Sequence, residues 1–254
     1  MATLHITPLI NIKLTTMKNF HLALCVILLF LIFSSCRKIT GKGPVVTESR
    51  QTASFNGLEL KIDADVFFTQ DSVYKVELQA QENVLDEIET TVINNNLQIR
   101  FRHSNTRIHS NDGISIYVSG PDVRSLTVDG SGYLEATAPV TPANLGLYVN
   151  GSGNIRVNNA TTTQVDANID GSGHITVSSG NANTANVRIS GSGLLDVAGI
   201  MVKDADASIS GSGNIKVFAT QNLHASISGS GSIIYKGNPA VTTHINGSGT
   251  VTHQ

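Results

Sequence analysis

The sequence predicts an all-β protein, a parallel β-solenoid (β-helix) with glycine corners, on three observations. First, Gly-Ser-Gly occurs seven times, starting at Gly130, Gly151, Gly171, Gly191, Gly211, Gly229 and Gly247, with steps of 21, 20, 20, 20, 18 and 18 residues. A tripeptide at near-constant spacing marks one small unit stacked on copies of itself. Second, each copy carries aliphatic residues at even offsets from its first glycine: Val128 to Ile245 two residues before it and Leu134 to Val251 four residues after it. Period-two alternation of β-branched residues is the pattern of a strand with one buried face. Third, no repeat shows a 3.6-residue period, which removes helical solenoids.

Each unit reads as two short strands meeting at a corner. A single strand spanning the whole pattern would have eleven residues and run roughly 36 Å, long for a small domain. Paired glycines in a strand mark a bend or a close backbone approach. The even offsets place both glycines inward and the serine outward. Polar connectors, such as 159–166, 178–186 and 219–224, return the chain to the next turn, and neighbouring turns are expected about 4.8 Å apart. The competing arrangement puts each triplet at a hairpin tip, in a propeller or sandwich. The unbroken phase of the aliphatic pattern through the triplet favours the corner.

Residues 1–35 read as an upstream extension plus an export signal. Met17-Lys18 precedes the apolar run 22–33, which is too short for a comfortable membrane span, and then Ser34-Ser35-Cys36. Cysteine after two small residues resembles the bacterial lipoprotein signal. That resemblance implies cleavage before Cys36 and lipid attachment to it, with Phe33 departing from the usual leucine. An ordinary signal peptide or an N-terminal anchor helix is the alternative. Cys25 would leave with the signal, so the mature chain would have no disulfide. Loss of Lys13 and Lys18 leaves 15 basic against 19 acidic residues, which excludes a general nucleic-acid binder. Residues 36–52, polar and carrying Gly41, Gly43 and Pro44, read as a flexible tether.

The domain is expected to span 53–254, with an irregular N-terminal part (53–125) and the repeats (126–254). Residues 55–62, 66–70 and 74–80 alternate as strands. Asn83 is expected to cap one short helix, with Val84, Leu85 and Ile88 on its apolar face. Asn94-Asn95-Asn96 signals a turn into a strand at 97–101. This half reads as irregular turns capping one end of the solenoid, or as a separate small α+β domain.

The layout Phe55-Asn56-Gly57-Leu58, the strands near 66–70 and 76–80, the segment 83–90, Asn95-Asn96-Leu97-Gln98-Ile99 and the serial Gly-Ser-Gly units resembles the putative auto-transporter adhesin, head GIN domain family. The resemblance covers roughly residues 53–254. It implies a right-handed β-helix-like fold in a secreted bacterial protein or lipoprotein, and it supplies no catalytic residues to carry over.

The seven triplet serines lack a base and an orienting acid and occur in equal settings, so they read as a packing rule. Before the triplets, Asp129, Asn150 and Asp170 fall on successive turns. They are the metal candidates, but three such side chains supply too few oxygens for calcium, and a solvated ladder is the preferred reading. After the triplets, Tyr133, Asn154, His174 and Asn214 form a second ladder suited to a sugar or to plain solvation. Arg100, Arg102, His103, Arg107 and His109 make the basic cluster, a contact for an acidic glycan or headgroup or simply an exposed loop. Other histidines lack zinc spacing. No catalytic residue, metal or cofactor is expected.

The resulting expectation is a non-enzymatic, envelope-anchored lipoprotein, outer-membrane or secreted, acting as an adhesin or envelope-organising module. The alternative is a polysaccharide-binding or polysaccharide-degrading β-helix. Expected partners are the membrane through the lipid, an unidentified protein or glycan, and a second copy through exposed solenoid ends, with no nucleic acid.

Overall fold

The computed structural model describes residues 37–110 and 112–254. The expected signal (residues 1–35) and the expected lipid site Cys36 lie outside the described residues. The chain is a parallel β-solenoid in which equivalent residues of successive turns stack in register. Gly130, Gly151, Gly171, Gly191, Gly211, Gly229 and Gly247 pair rung on rung. So do the aliphatic residues, as Val149, Ile169, Ile189, Ile209 and Ile227 do inside the wall, all of them buried. Each such side chain taken from water contributes about 1.5–3 kcal/mol, and like-on-like stacking keeps the core continuous. The buried apolar residues from Phe55 to Ile233 form one cluster.

The triplet is a corner. Its first glycine has φ between +119° and +133° in all seven copies, a conformation L side chains rarely adopt. In the first six copies the carbonyl of that glycine also accepts one or two N–H groups from the next turn: Ser172 N and Gly173 N lie 2.8 and 3.1 Å from the Gly151 oxygen. The second glycine is buried in most copies, and a Cβ on Gly173 would sit 2.3 Å from the Gly153 oxygen. The expectation that both glycines face inward needs correction for the first. It is half-buried or exposed, because positive φ breaks the strand alternation at the bend.

The connectors form a third wall. Ala160–Thr161 pairs with Gly180–Asn181, which pairs with Ile200 and Met201, and Val140 bridges to Ala160. Val140, Ala160, Ile200 and Ala219 are buried on it. In the later turns this wall merges with its neighbours into the long bent strands Leu194–Gly211 and Asn214–Gly229.

The N-terminal turns stack out of chain order. Gly57–Leu60 lies between Asn96–Phe101 and Ser125–Gly130, and Asp65–Gln70 lies between Ser115–Gly120 and Tyr133–Ala136. The turn carrying residues 96–120 is therefore outermost, and the earlier turn 57–70 sits beneath it. Antiparallel strands close this end: Ile88–Ile93 pairs with Asn96–Phe101, and Lys75–Gln81 pairs with Ser115–Gly120. The helix Glu82–Leu85 crosses between them with Val84 and Leu85 buried. It is one turn long, shorter than expected, because Ile88, Thr90, Thr91, Val92 and Ile93 favour a strand. Its N-cap is Gln81. Asn83 lies inside the helix, where its side chain accepts from Lys42 N–H and donates to the Thr40 carbonyl.

Two strands occupy the segment read as a flexible tether. Arg37–Thr40 pairs in parallel with Thr106–His109, and Val45–Arg50 pairs antiparallel with Lys75–Gln81. Neither strand buries an apolar face, so neither leaves an alternating pattern. Backbone pairing holds them, and Arg50 ties down the second: its guanidinium donates to the Leu85 and Ile88 carbonyls at 2.9 and 2.6 Å, the first of them an acceptor that the helix end leaves open.

Candidate functional site

The two larger walls present outward rows of side chains in register. On the wall after the triplet, Tyr133, Asn154, His174, Leu194, Asn214, Ser232 and Thr250 stack in order. The ladder expected after the triplet is thus present. Tyr133, Asn154 and His174 are consecutive, with His174 Nδ1 3.1 Å from Asn154 Oδ1. Asn214 is set apart by Leu194.

The same wall brings together three aromatic rings. Phe67 and Tyr117 are register partners and stack with centroids 5.4 Å apart at 25°, and Tyr133 meets Phe67 edge-on at 6.5 Å. All three point away from the core, and Tyr117 is 42% exposed. The sequence reading contains Tyr133 but misses Phe67 and Tyr117. They lie 50 residues apart and become neighbours only because the turn containing residues 96–120 folds back outside the turn 57–70. The outward position of each, one residue on from a buried aliphatic, was the available signal.

A polar network fixes the edge of this platform. The Tyr133 hydroxyl donates to one oxygen of Glu135 at 2.9 Å, Asn158 donates to the other at 2.9 Å, and Arg156 donates to Asn158 at 3.1 Å. Burial, together with the hydrogen bond to Glu135 and its charge, pushes the Tyr133 hydroxyl up to about 12. The ring is therefore neutral and held in place. Arg156, Asn154 and His174 border it on the C-terminal side.

The wall before the triplet carries a second, smaller feature. Tyr148 lies over Gly146, where a Cβ would meet its ring at 2.7 Å. With Asp166, Asn168, Asn186 and Arg188 it borders a shallow hollow of about 410 Å³. Burial first, then the charge of Asp166, raises the Tyr148 hydroxyl above its ordinary value. Asp166 is itself engaged by Gln164 and Asn186.

The other expected site residues are placed differently. Asp129, Asn150 and Asp170 do stack on consecutive rungs, but the two carboxylates are then about 10 Å apart, too far to share one ion. No cluster of three or more His, Cys, Asp or Glu suited to a metal occurs among the described residues. The basic cluster is largely tied into the cap. Arg100 pairs with Glu89 at 2.7 Å, His103 lies 3.4 Å from Glu87, and Arg102 donates to the Asp86 carbonyl. Arg107 instead lines a cleft of about 530 Å³ between residues 61–65 and the strand Thr106–His109. Thr106 borders this cleft, its hydroxyl buried without a hydrogen-bond partner.

Taken together, the fold and its surface define a β-solenoid that displays in-register side-chain ladders on flat walls. The chain belongs to the putative auto-transporter adhesin, head GIN domain family, whose pattern matches residues 54–239. Solved structures share the fold. A putative adhesin from Bacteroides fragilis NCTC 9343 superposes with a TM-score of 0.80 at 22% identity, over 85% of this chain and all of the other. A putative adhesin from Parabacteroides merdae ATCC 43184 gives 0.71 at 23% identity, over 86% of this chain and 99% of the other. A putative lipid binding protein from Parabacteroides distasonis ATCC 8503 gives 0.68 at 26%, over 86% of this chain and 100% of the other. No curated protein matches the sequence.

Proposed function

We propose that this protein is a non-enzymatic binding module of the bacterial envelope, tethered through Cys36, whose contact surface is the wall carrying Phe67, Tyr117 and Tyr133. The observation that carries the reading is the outward aromatic platform beside the Asn154–His174 ladder. Core packing does not account for rings that point away from the core. Clustered exposed aromatics beside polar groups are the usual make-up of a recognition surface. Family membership supports a surface or envelope-associated role, and the basic start, apolar run and Ser-Ser-Cys of residues 17–36 support the lipid tether.

The platform favours a saccharide over a flat protein epitope. The apolar C–H face of a pyranose can lie on the Phe67 and Tyr117 rings while its hydroxyls reach Asn154, Arg156 and His174. Polysaccharide degradation has no comparable support, since it needs an acid and base converging on one bond. The test is ligand capture on a glycan array and in protein pull-downs, with Tyr117→Ala and Phe67→Ala against Ser210→Ala on the opposite row. Loss of capture in the first two, with unchanged far-UV circular dichroism, is expected. Capture unaltered by both would refute the platform as the contact surface.

A further inference from the structure

The chain is fixed to the domain from the first residue after Cys36. Arg37 N–H donates to the Asn105 carbonyl at 3.0 Å, and Gly41 N–H donates to the His109 carbonyl at 3.1 Å. The Arg37 side chain ties the same point to the cap, 2.9 Å from Glu87 and 2.8 Å from His103 Nδ1. Between these anchors Arg37–Thr40 runs in register with Thr106–His109. Consecutive Cα atoms lie about 3.8 Å apart, so a lipid on Cys36 would hold this strand at the membrane surface without slack.

The two-stranded sheet has two faces. Thr106 is buried and Ile39 and Ile108 are half-buried, so these turn toward the body of the domain. Lys38 and Thr40 on one strand, and Arg107 and His109 on the other, alternate with them and are exposed. Lys38 and Arg107 are register partners. Like charges set directly opposite destabilise a strand pair, yet neither side chain has an ion pair or hydrogen bond among the described residues. Lys42, two residues beyond the strand, is exposed with its ammonium equally free, and only its backbone N–H is used, by Asn83.

The carboxylates of this end do not balance these cations. Glu87 is taken by Arg37 and His103, and Asp112 accepts from Gln81. Asp63 and Asp65 line the cleft beside Arg107 but form no ion pair with it. Three unpaired cations therefore gather where the anchor would enter.

We propose that this face docks on an anionic phospholipid surface, that of the membrane holding the Cys36 lipid. The inference rests on the tether proposed above. Anionic headgroups supply the counter-charge that the sheet lacks. Each Lys or Arg near such a surface favours contact about fivefold, so Lys38, Lys42 and Arg107 together give roughly 100-fold. That attraction fades within a Debye length of about 8–10 Å, a reach that the fixed strand secures. The mature chain as a whole carries 15 basic against 19 acidic residues, so its other faces gain nothing from the same surface. Docking thus holds the capped end at the bilayer and orients the solenoid on it.

The test uses the full chain, matured in a bacterial envelope and reconstituted into phosphatidylcholine vesicles with or without phosphatidylglycerol. Lysine acetylation, followed residue by residue in a mass spectrometer, reads the contact. Exposed Lys203, on a later turn, is the internal control. Lys38 and Lys42 should react several-fold more slowly on the phosphatidylglycerol vesicles with Lys203 unchanged, and high salt should cancel the difference. Arg107→Glu should weaken docking about 25-fold, by losing one cation and adding one anion, and should restore the reactivity of Lys38 and Lys42. The mass of the N-terminal peptide reads the tether separately. An unmodified Cys36 overturns the tether and the docking with it. A lipidated Cys36 with Lys38 and Lys42 equally reactive on both vesicles overturns the docking alone. So does protection that survives Arg107→Glu, because the tether by itself would then account for it.

Discussion

Gly191→Ala and Gly130→Ala separate the two reasons for glycine at the corner. Both positions have nearly the same backbone, φ +127° and +131°. An L side chain held in that region costs about 1–3 kcal/mol at either site. They differ in what lies above them. A Cβ on Gly191 would stand 2.3 Å from the Gly171 carbonyl oxygen, whereas a Cβ on Gly130 meets nothing within 4 Å. Relieving that contact needs a shift of about 1 Å, which weakens the bond from Ser192 N–H to the Gly171 oxygen, now 2.9 Å. One backbone bond is worth about 1 kcal/mol, and lost packing adds a similar amount at most. Gly191→Ala should therefore be about 1–2 kcal/mol more destabilising than Gly130→Ala. Ser192→Ala, with its outward hydroxyl, should fall within about 0.5 kcal/mol of the parent. Urea unfolding followed by far-UV circular dichroism measures all three. Equal losses at the two glycines would refute inter-turn contact as part of the triplet's role.

Thr106→Val should leave stability unchanged or raise it by about 1 kcal/mol in the same assay, because it removes a buried hydroxyl without a partner. A loss above about 1 kcal/mol would mean that the hydroxyl is bonded. Tyr133 should ionise late, near pH 12. Its folded value lies above the ordinary 10, so its contribution to stability is whole below pH 10 and is lost as pH rises through about 12. Absorbance at 295 nm should show a late step that Tyr133→Phe removes. A parent-minus-Tyr133→Phe difference centred near pH 10 would place the ring outside the Glu135 network.

The repeats were legible because their physics is local. Period-two Ile and Val fix the inward face, and Gly-Ser-Gly at a 20-residue spacing sets the circuit, so in-register parallel stacking followed from the sequence. The third wall was not, since its inward positions are filled by small or irregular residues, Ala160, Gly180 and Ile200, within polar stretches. Strand Val45–Arg50 was hidden because it lies on a cap edge and buries nothing, leaving only backbone bonds and the reach of Arg50. The candidate site was half visible. Tyr133, Asn154 and His174 share one repeat offset and stack as the spacing implies. Phe67 and Tyr117 meet through a reversal of turn order that no local pattern encodes.

In-register parallel stacking is tested most directly by spin-label distances between exposed triplet serines, in a background without Cys25 and Cys36. A label at Ser131 should lie about 19, 24 and 29 Å from labels at Ser212, Ser230 and Ser248, one 4.8 Å rung more at each step. Distances that fail to lengthen by a constant increment, or that shorten along the series, would contradict the stack.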